Sequence, residues 1–116
     1  MTDGLSTHDA LGFWQATCLE LVRDDDVDLS LRQLAILLTI YLETPPHTVR
    51  GLAARLGVTK PVVTRALNAL GARRLVERRR DATDRRNVLV QRTVDGALYL
   101  DRLAATIRRH GDSFVR

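Results

Sequence analysis

The chain is poor in the residues that staple, anchor or arm a small protein. Cys18 is its single cysteine, which excludes an intrachain disulfide and a four-cysteine zinc site. The histidines His8, His47 and His110 are scattered and have no ligand partner three or four residues after them, so no metal is expected. Aromatics make up 4% of the residues (Phe13, Trp14, Tyr41, Tyr99 and Phe114) and name no ligand. No Ser/His/Asp set, no carboxylate pair in an apolar setting and no phosphate-cradling glycine loop is present, so no enzyme and no cofactor is expected. The acidic cluster Asp24, Asp25, Asp26 and Asp28 lacks the glycine and distal glutamate of a calcium loop and is read as a solvated turn. Met1 to Leu5 carry Asp3 and lead into no long apolar run; neither a signal peptide nor a membrane span is expected, and the cytoplasm is the expected compartment. There is no internal repeat, low-complexity tract or Gly/Ser linker.

What is present suits one folded domain over residues 1–116. Apolar residues are 45% and charged residues 28%, ordinary for a globular protein. A chain of this length can bury roughly 60–70% of its unfolded surface without staples. Its formal net charge of +4 is unevenly placed. Residues 1–49 hold two basic groups against eight acidic ones, a net of −6. Residues 50–92 hold twelve against three, a net of +9, and residues 93–116 a net of +1. A basic block of that density points to a polyanionic partner, nucleic acid first; the alternative is a solvated basic face that serves solubility.

Periodicity predicts five helices and two strands. Leu11, Trp14, Cys18, Leu21 and Val22 mark a helix over about 7–23, with Ser6 or Thr7 as its N-cap. A second runs over about 31–43 behind Ser30, is apolar on most sides and ends at Pro45-Pro46. Thr48 caps a short helix over about 49–56, and Gly57 follows where positive φ is needed. Thr59 caps a fourth, with Pro61 in its first turn, running to about Arg73. Leu75–Arg78 and Asn87–Gln91 then read as strands around a polar loop, Arg80–Arg86. Thr93, with Asp95, caps a last helix that ends before Gly111.

Leu52 to Leu67 has the spacing of a helix–turn–helix. Ala53 is small at the helix crossing, Gly57 reverses the chain, Val58 plugs the corner and Val63 anchors the second helix. At about 100° per residue, Val63, Ala66, Leu67 and Leu70 fall on one side of that helix. Pro61, Thr64, Arg65 and Asn68 fall on the other, with Lys60 at the edge. The outward face is short, polar and free of acids, as a helix in a DNA major groove requires. Arg65 and Asn68 can each make two hydrogen bonds to a base edge, Thr64 can meet a phosphate or thymine methyl, and the N–H groups around Thr59 and Lys60 suit a phosphate. The hairpin that follows has the place of a wing, with Arg85 and Arg86 at its tip. Arginine suits a narrow minor groove, and Asp84 would orient the guanidinium by a charge-assisted bond; the alternative is an ordinary surface ion pair.

These pieces resemble the MarR family of winged-helix transcription regulators. The resemblance is carried by Leu29–Leu37, the helix–turn–helix, Leu75-Val76-Glu77-Arg78, and Asp84-Arg85-Arg86 followed by Thr93-Val94-Asp95-Gly96. It implies a mainly α fold with a small β-hairpin wing (α+β): helix–turn–helix over about 48–74, wing over about 75–92 and flanking helices over about 7–23 and 94–110. It further implies a homodimer on a pseudo-palindromic duplex, the fourth helix in the major groove and Arg86 in the minor groove, and a small-molecule effector of unnamed chemistry. Members usually carry an apolar residue where Arg92 stands, and a further C-terminal helix. Dimer contacts are therefore expected from the first and last helices, with Leu11, Trp14, Cys18, Leu21, Leu100, Leu103 and Ile107 as candidates. Two other functions compete: a winged-helix adaptor that binds a protein or nucleic acid without sequence preference, and a regulator switched by Cys18 oxidation. Glu20 and Asp24 would oppose formation of the Cys18 thiolate, so a packed cysteine is the favoured reading.

Overall fold

A computed structural model describes residues 4–24 and 27–114. Asp3, and Asp25 and Asp26 of the acidic cluster, lie outside the described residues. The elements in chain order are α1 (Thr7–Arg23), α2 (Leu31–Leu42), β1 (His47–Thr48), α3 (Val49–Leu56), α4 (Lys60–Ala72), β2 (Val76–Arg80), β3 (Val88–Arg92) and α5 (Val94–Gly111). The chain divides into two compact units, residues 29–100 and a unit made from residues 1–28 with 101–116, so that α5 contributes to both.

The central unit is a winged helix. Local chemistry sets its helix ends. Ser30 and Gln33 form a capping box at the start of α2, the Ser30 hydroxyl accepting from Gln33 N–H at 3.1 Å and the Gln33 amide oxygen accepting from Ser30 N–H at 2.9 Å. Thr48 accepts from Gly51 N–H at 2.9 Å at the start of α3. Gly57 closes α3 at φ 71°, a conformation that a side chain would strain. Thr93 caps α5, its hydroxyl accepting from Gly96 N–H at 2.9 Å. Thr59 differs from expectation: it stands at the N-cap position of α4, yet its side chain makes no capping bond.

The core of this unit is the meeting of α2 and α4. Ile36, Leu37 and Ile40 from α2 and Val63, Leu67 and Leu70 from α4 are fully buried, and Leu52, Ala53, Leu75, Val76 and Val90 join them. The expectation that α2 is buried on most sides holds for its middle; Leu31 and Leu42, at its two ends, are exposed.

The sheet has three antiparallel strands in the order β1-β3-β2, one more than periodicity indicated. His47 and Thr48 pair with Val90 and Leu89, and Val76 to Arg80 pair with Arg92 to Val88. Both strands start one residue later than expected; β2 runs on to Arg80, two residues past its expected end and into the expected loop, and β3 ends at Arg92, one residue later, because the ladder continues through charged residues that carry no apolar alternation.

In the terminal unit, α1 turns Phe13, Thr17 and Glu20 toward the end of α5 and the residues after it. Phe13 stacks on Phe114 with centroids 6.0 Å apart, and buried Thr17 satisfies its hydroxyl on the Phe13 carbonyl at 3.0 Å. Glu20 accepts hydrogen bonds from Thr106 at 3.0 Å and from Arg109, and meets His110 Nε2 at 2.8 Å. The Arg109 bond first, and then His110, hold the Glu20 carboxyl at about 2, well below the ordinary carboxylate range.

Candidate nucleic-acid interface

The two helices that form the corner are α3 and α4. Val58 N–H bonds Ala53 O at 3.0 Å and Val63 N–H bonds Thr59 O at 3.2 Å, so the turn closes with its backbone satisfied. Burial of Val63, Ala66, Leu67 and Leu70 then fixes the rotation of α4 about its axis. The opposite face carries Lys60, Pro61, Thr64, Arg65 and Asn68, all exposed, as is Thr59 before them. Among the described residues, the side chains of Lys60, Thr64, Arg65 and Asn68 have no hydrogen-bond or ionic partner within the chain. The residues expected to meet DNA thus lie exposed on one side of one helix, with their donors and acceptors uncommitted.

The wing tip is built differently. Its loop, residues 81–87, is closed by Asp81 N–H on Asn87 O at 3.1 Å and Asn87 N–H on Asp84 O at 2.9 Å. Asp81 holds the chain inside the loop by accepting from Thr83 N–H at 2.9 Å and from the Thr83 hydroxyl at 2.8 Å. Arg80 donates to the Arg85 carbonyl at 2.8 Å. Asp84 accepts from Arg86 Nε at 3.1 Å, Arg86 Nη2 at 3.2 Å and the Arg86 N–H at 3.1 Å. These bonds, the side-chain ones first, hold the Asp84 carboxyl below its ordinary range, so the pair stays ionised. Arg86 remains 82% exposed. Its fork gives two of five N–H donors to Asp84 and leaves three directed elsewhere. Arg85 is exposed beside it.

Sequence reasoning missed Arg50. It is exposed in the first turn of α3, and its charge is the last of the causes that lower the Asp84 carboxyl. Arg50 belongs to the +9 block, but no spacing in the sequence sets it apart from the other arginines there. Arg78 and Arg79 on β2 are likewise exposed and outside the expected set.

The dimer candidates separate into two groups. Leu11 (65% exposed), Trp14 (50%) and Ile107 (40%) are open, and Cys18, Leu21 and Leu100 are half-buried. Leu103, at 5%, is turned into the chain's own packing and offers a partner little surface. Cys18 is a free thiol. Among the described residues no group of three His, Cys, Asp or Glu side chains could hold a metal, and no helix is long and apolar enough to cross a membrane.

Comparison with known proteins adds a family. The MarR family model matches residues 27–87. No curated protein matches the chain. Among solved structures, the PcaV transcriptional regulator of Streptomyces coelicolor is 27% identical, with 92% of this chain and 78% of that one covered at a TM-score of 0.67. A mutant of MepR from S. aureus is 21% identical over 90% of this chain and 74% of that one, with a TM-score of 0.76. The S. aureus MepR–DNA complex is 19% identical over 92% and 82%, with a TM-score of 0.72.

Proposed function

The chain belongs to the MarR family, and from that premise we propose that it is a sequence-specific, double-stranded DNA-binding transcription regulator, non-enzymatic, cytoplasmic and homodimeric. The observation that carries this reading is the outward face of α4, where Lys60, Pro61, Thr64, Arg65 and Asn68 stand exposed, acid-free and opposite a fully buried stripe. In the proposed complex this face lies in the major groove. Arg65 and Asn68 read base edges, Thr64 contacts a phosphate or thymine methyl, and the α4 N-terminus at Thr59 and Lys60 meets a phosphate. The wing reaches the minor groove with Arg86, held by Asp84 so that little freedom is lost on binding, and Arg85 lies beside it. That MepR has been crystallised with DNA supports the same use of the fold here. The homodimer reading is supported by Leu11, Trp14 and Val22, an exposed apolar row on α1.

The test is a selection from random duplexes at two salt concentrations, beside a mass measurement. An enriched two-fold motif, affinity that falls steeply with salt, and twice the chain's 13.0 kDa are expected. A 13.0 kDa species that binds every duplex alike would favour the adaptor instead.

A further inference from the structure

Arg92, the last residue of β3, is committed to a helix. α2 ends at Leu42, and Glu43 follows in an extended conformation (φ −102°, ψ 158°), so no left-handed cap collects the last carbonyls of the helix. Arg92 reaches one of them and the carbonyl just past the helix: Nε donates to Ile40 O at 2.9 Å and Nη2 to Glu43 O at 3.1 Å, an oxygen that His47 Nε2 also meets at 3.1 Å. Its guanidinium carbon lies 5.8 Å from the centroid of the Tyr41 ring. A cation here also meets the negative end of the α2 dipole. Tyr41 in turn ties the approach to β2 and the exit from β3, its hydroxyl lying 3.0 Å from the Leu75 carbonyl and accepting from Thr93 N–H at 2.9 Å. Arg92 itself pairs with Val76, the first residue of β2. Both strands of the hairpin are therefore fastened at their base to one end of α2. The buried side of α2 shares its core with α4. α2 is the common frame of the reading helix and the wing.

We propose that Arg92 is a positioning residue for DNA reading: by clamping the hairpin base to the end of α2, it sets where Arg85 and Arg86 stand relative to the outward face of α4. This rests on the DNA-binding function proposed above. The hairpin is a lever. Its strands run four residues from the clamp before the loop that carries Arg85 and Arg86 begins, about 13 Å at strand rise, so a tilt of about 10° at the base carries the tip by roughly 2 Å or more. That displacement exceeds the tolerance of a hydrogen bond.

The experiment is a double-mutant cycle read on DNA together with hydrogen exchange on the free protein. Arg92→Leu keeps bulk and removes the forked donation; Arg92→Lys keeps the charge without the fork. On the selected duplex, Arg92→Leu is expected to lose about five- to thirty-fold in affinity, with Arg92→Lys between it and wild type. The base preference set by α4 stays unchanged. In an Arg86→Ala background, the Arg92→Leu loss should shrink to the part that acts through Arg85, because one of the two tip residues through which it acts is gone. In the free protein, Arg92→Leu should speed amide exchange over 76–92 and leave that of α4 as it was. Losses that add in the double mutant, or wing amides that exchange at the wild-type rate, overturn the proposal. Wild-type protein that binds no duplex sinks the DNA-reading premise itself, and with it the role given to the clamp; the exchange result then shows separately whether Arg92 holds the wing.

Discussion

Gly96 is the position where a single added methyl group should do the most damage. It is buried in the first turn of α5, and a Cβ built there would lie 1.9 Å from the Tyr41 hydroxyl oxygen, 2.3 Å from the Leu75 carbonyl oxygen and 2.7 Å from Tyr41 Cζ. In an open helix, Gly→Ala would gain about 0.5–1 kcal/mol. Here that gain is outweighed. One obstacle is backbone and cannot rotate away, and overpacking of this kind costs about 1–3 kcal/mol. The other is a hydroxyl near the carbonyls of Leu75 and Thr93, at 3.0 and 3.1 Å, that also accepts from Thr93 N–H. Displacing it leaves the part-buried Thr93 N–H without its acceptor, a further cost of about 1–3 kcal/mol. Gly96→Ala is thus expected to destabilise by about 3 kcal/mol, a large share of the stability of a small domain.

Tyr41→Phe isolates the second part of that sum. It removes the hydroxyl without adding bulk and should cost about 1–3 kcal/mol. The double variant is the diagnostic. With the hydroxyl gone, the nearest obstacle to the new methyl is gone too, while Leu75 O and the Tyr41 ring remain. The double variant should therefore remain destabilised, but by about 0.5–3 kcal/mol less than the two single losses added together. Urea unfolding followed by far-ultraviolet circular dichroism measures all three. A Gly96→Ala protein as stable as wild type, or strictly additive losses, would refute the packing argument.

Four other outcomes are expected. Arg65→Ala should cost about 1–3 kcal/mol of duplex binding and relax preference at one base position if its contact is bidentate; a uniform loss on all duplexes in a binding titration would make it a phosphate contact. Arg86→Ala should weaken binding mainly to duplexes with AT-rich flanks, and equal weakening on GC-rich flanks would remove the minor-groove role. Because the Glu20 carboxyl is lowered from 4.5 to about 2 in the folded chain, its contribution is complete above about pH 4.5 and is lost as pH falls toward 2; Glu20→Gln should flatten the acid limb of a stability–pH curve over that window, and superimposable limbs would argue against the cluster. Gly57→Ala meets no atom within 4 Å yet must hold φ 71°, so it should cost about 1–2 kcal/mol through backbone strain alone, with Gly57→Asn milder in the same urea series.

The parts of this fold that were legible in the sequence are those set by near neighbours. Ser30, Thr48, Gly57, Pro61 and Thr93 each act within four residues of themselves, and each stands at the helix end expected of it. The burial of α4 was equally legible, since Val63, Ala66, Leu67 and Leu70 repeat at helical spacing. What could not be seen depends on partners far along the chain. β1 is two residues long and has no periodicity of its own; only pairing with Leu89 and Val90 makes it a strand. Thr59 has the right chemistry for a cap, but its side chain does not make the bond, which neighbouring residue types cannot reveal.

Arg92 shows the limit most clearly. Beside a family pattern with an apolar residue in its place, it looks like a mismatch. In the fold, its fork reaches Ile40 O and Glu43 O at the end of α2 across 52 and 49 residues of sequence, where no left-handed cap stands. The two facts are one. An α2 that runs straight into an extended Glu43 gains no left-handed cap, and an arginine at the foot of the neighbouring strand can answer Ile40 O while sharing Glu43 O with His47. An apolar residue there could pack against the Tyr41 ring but could not donate. If a donor at this position answers the helix end, chains of the same fold with an apolar residue there should end α2 in some other satisfied way, by a left-handed cap or a water. Replacing Glu43 by glycine in this chain should then reduce the stability lost on Arg92→Leu, provided the glycine adopts the left-handed cap; equal losses in both backgrounds would mean that the guanidinium matters for its stacking on Tyr41 rather than for the carbonyls.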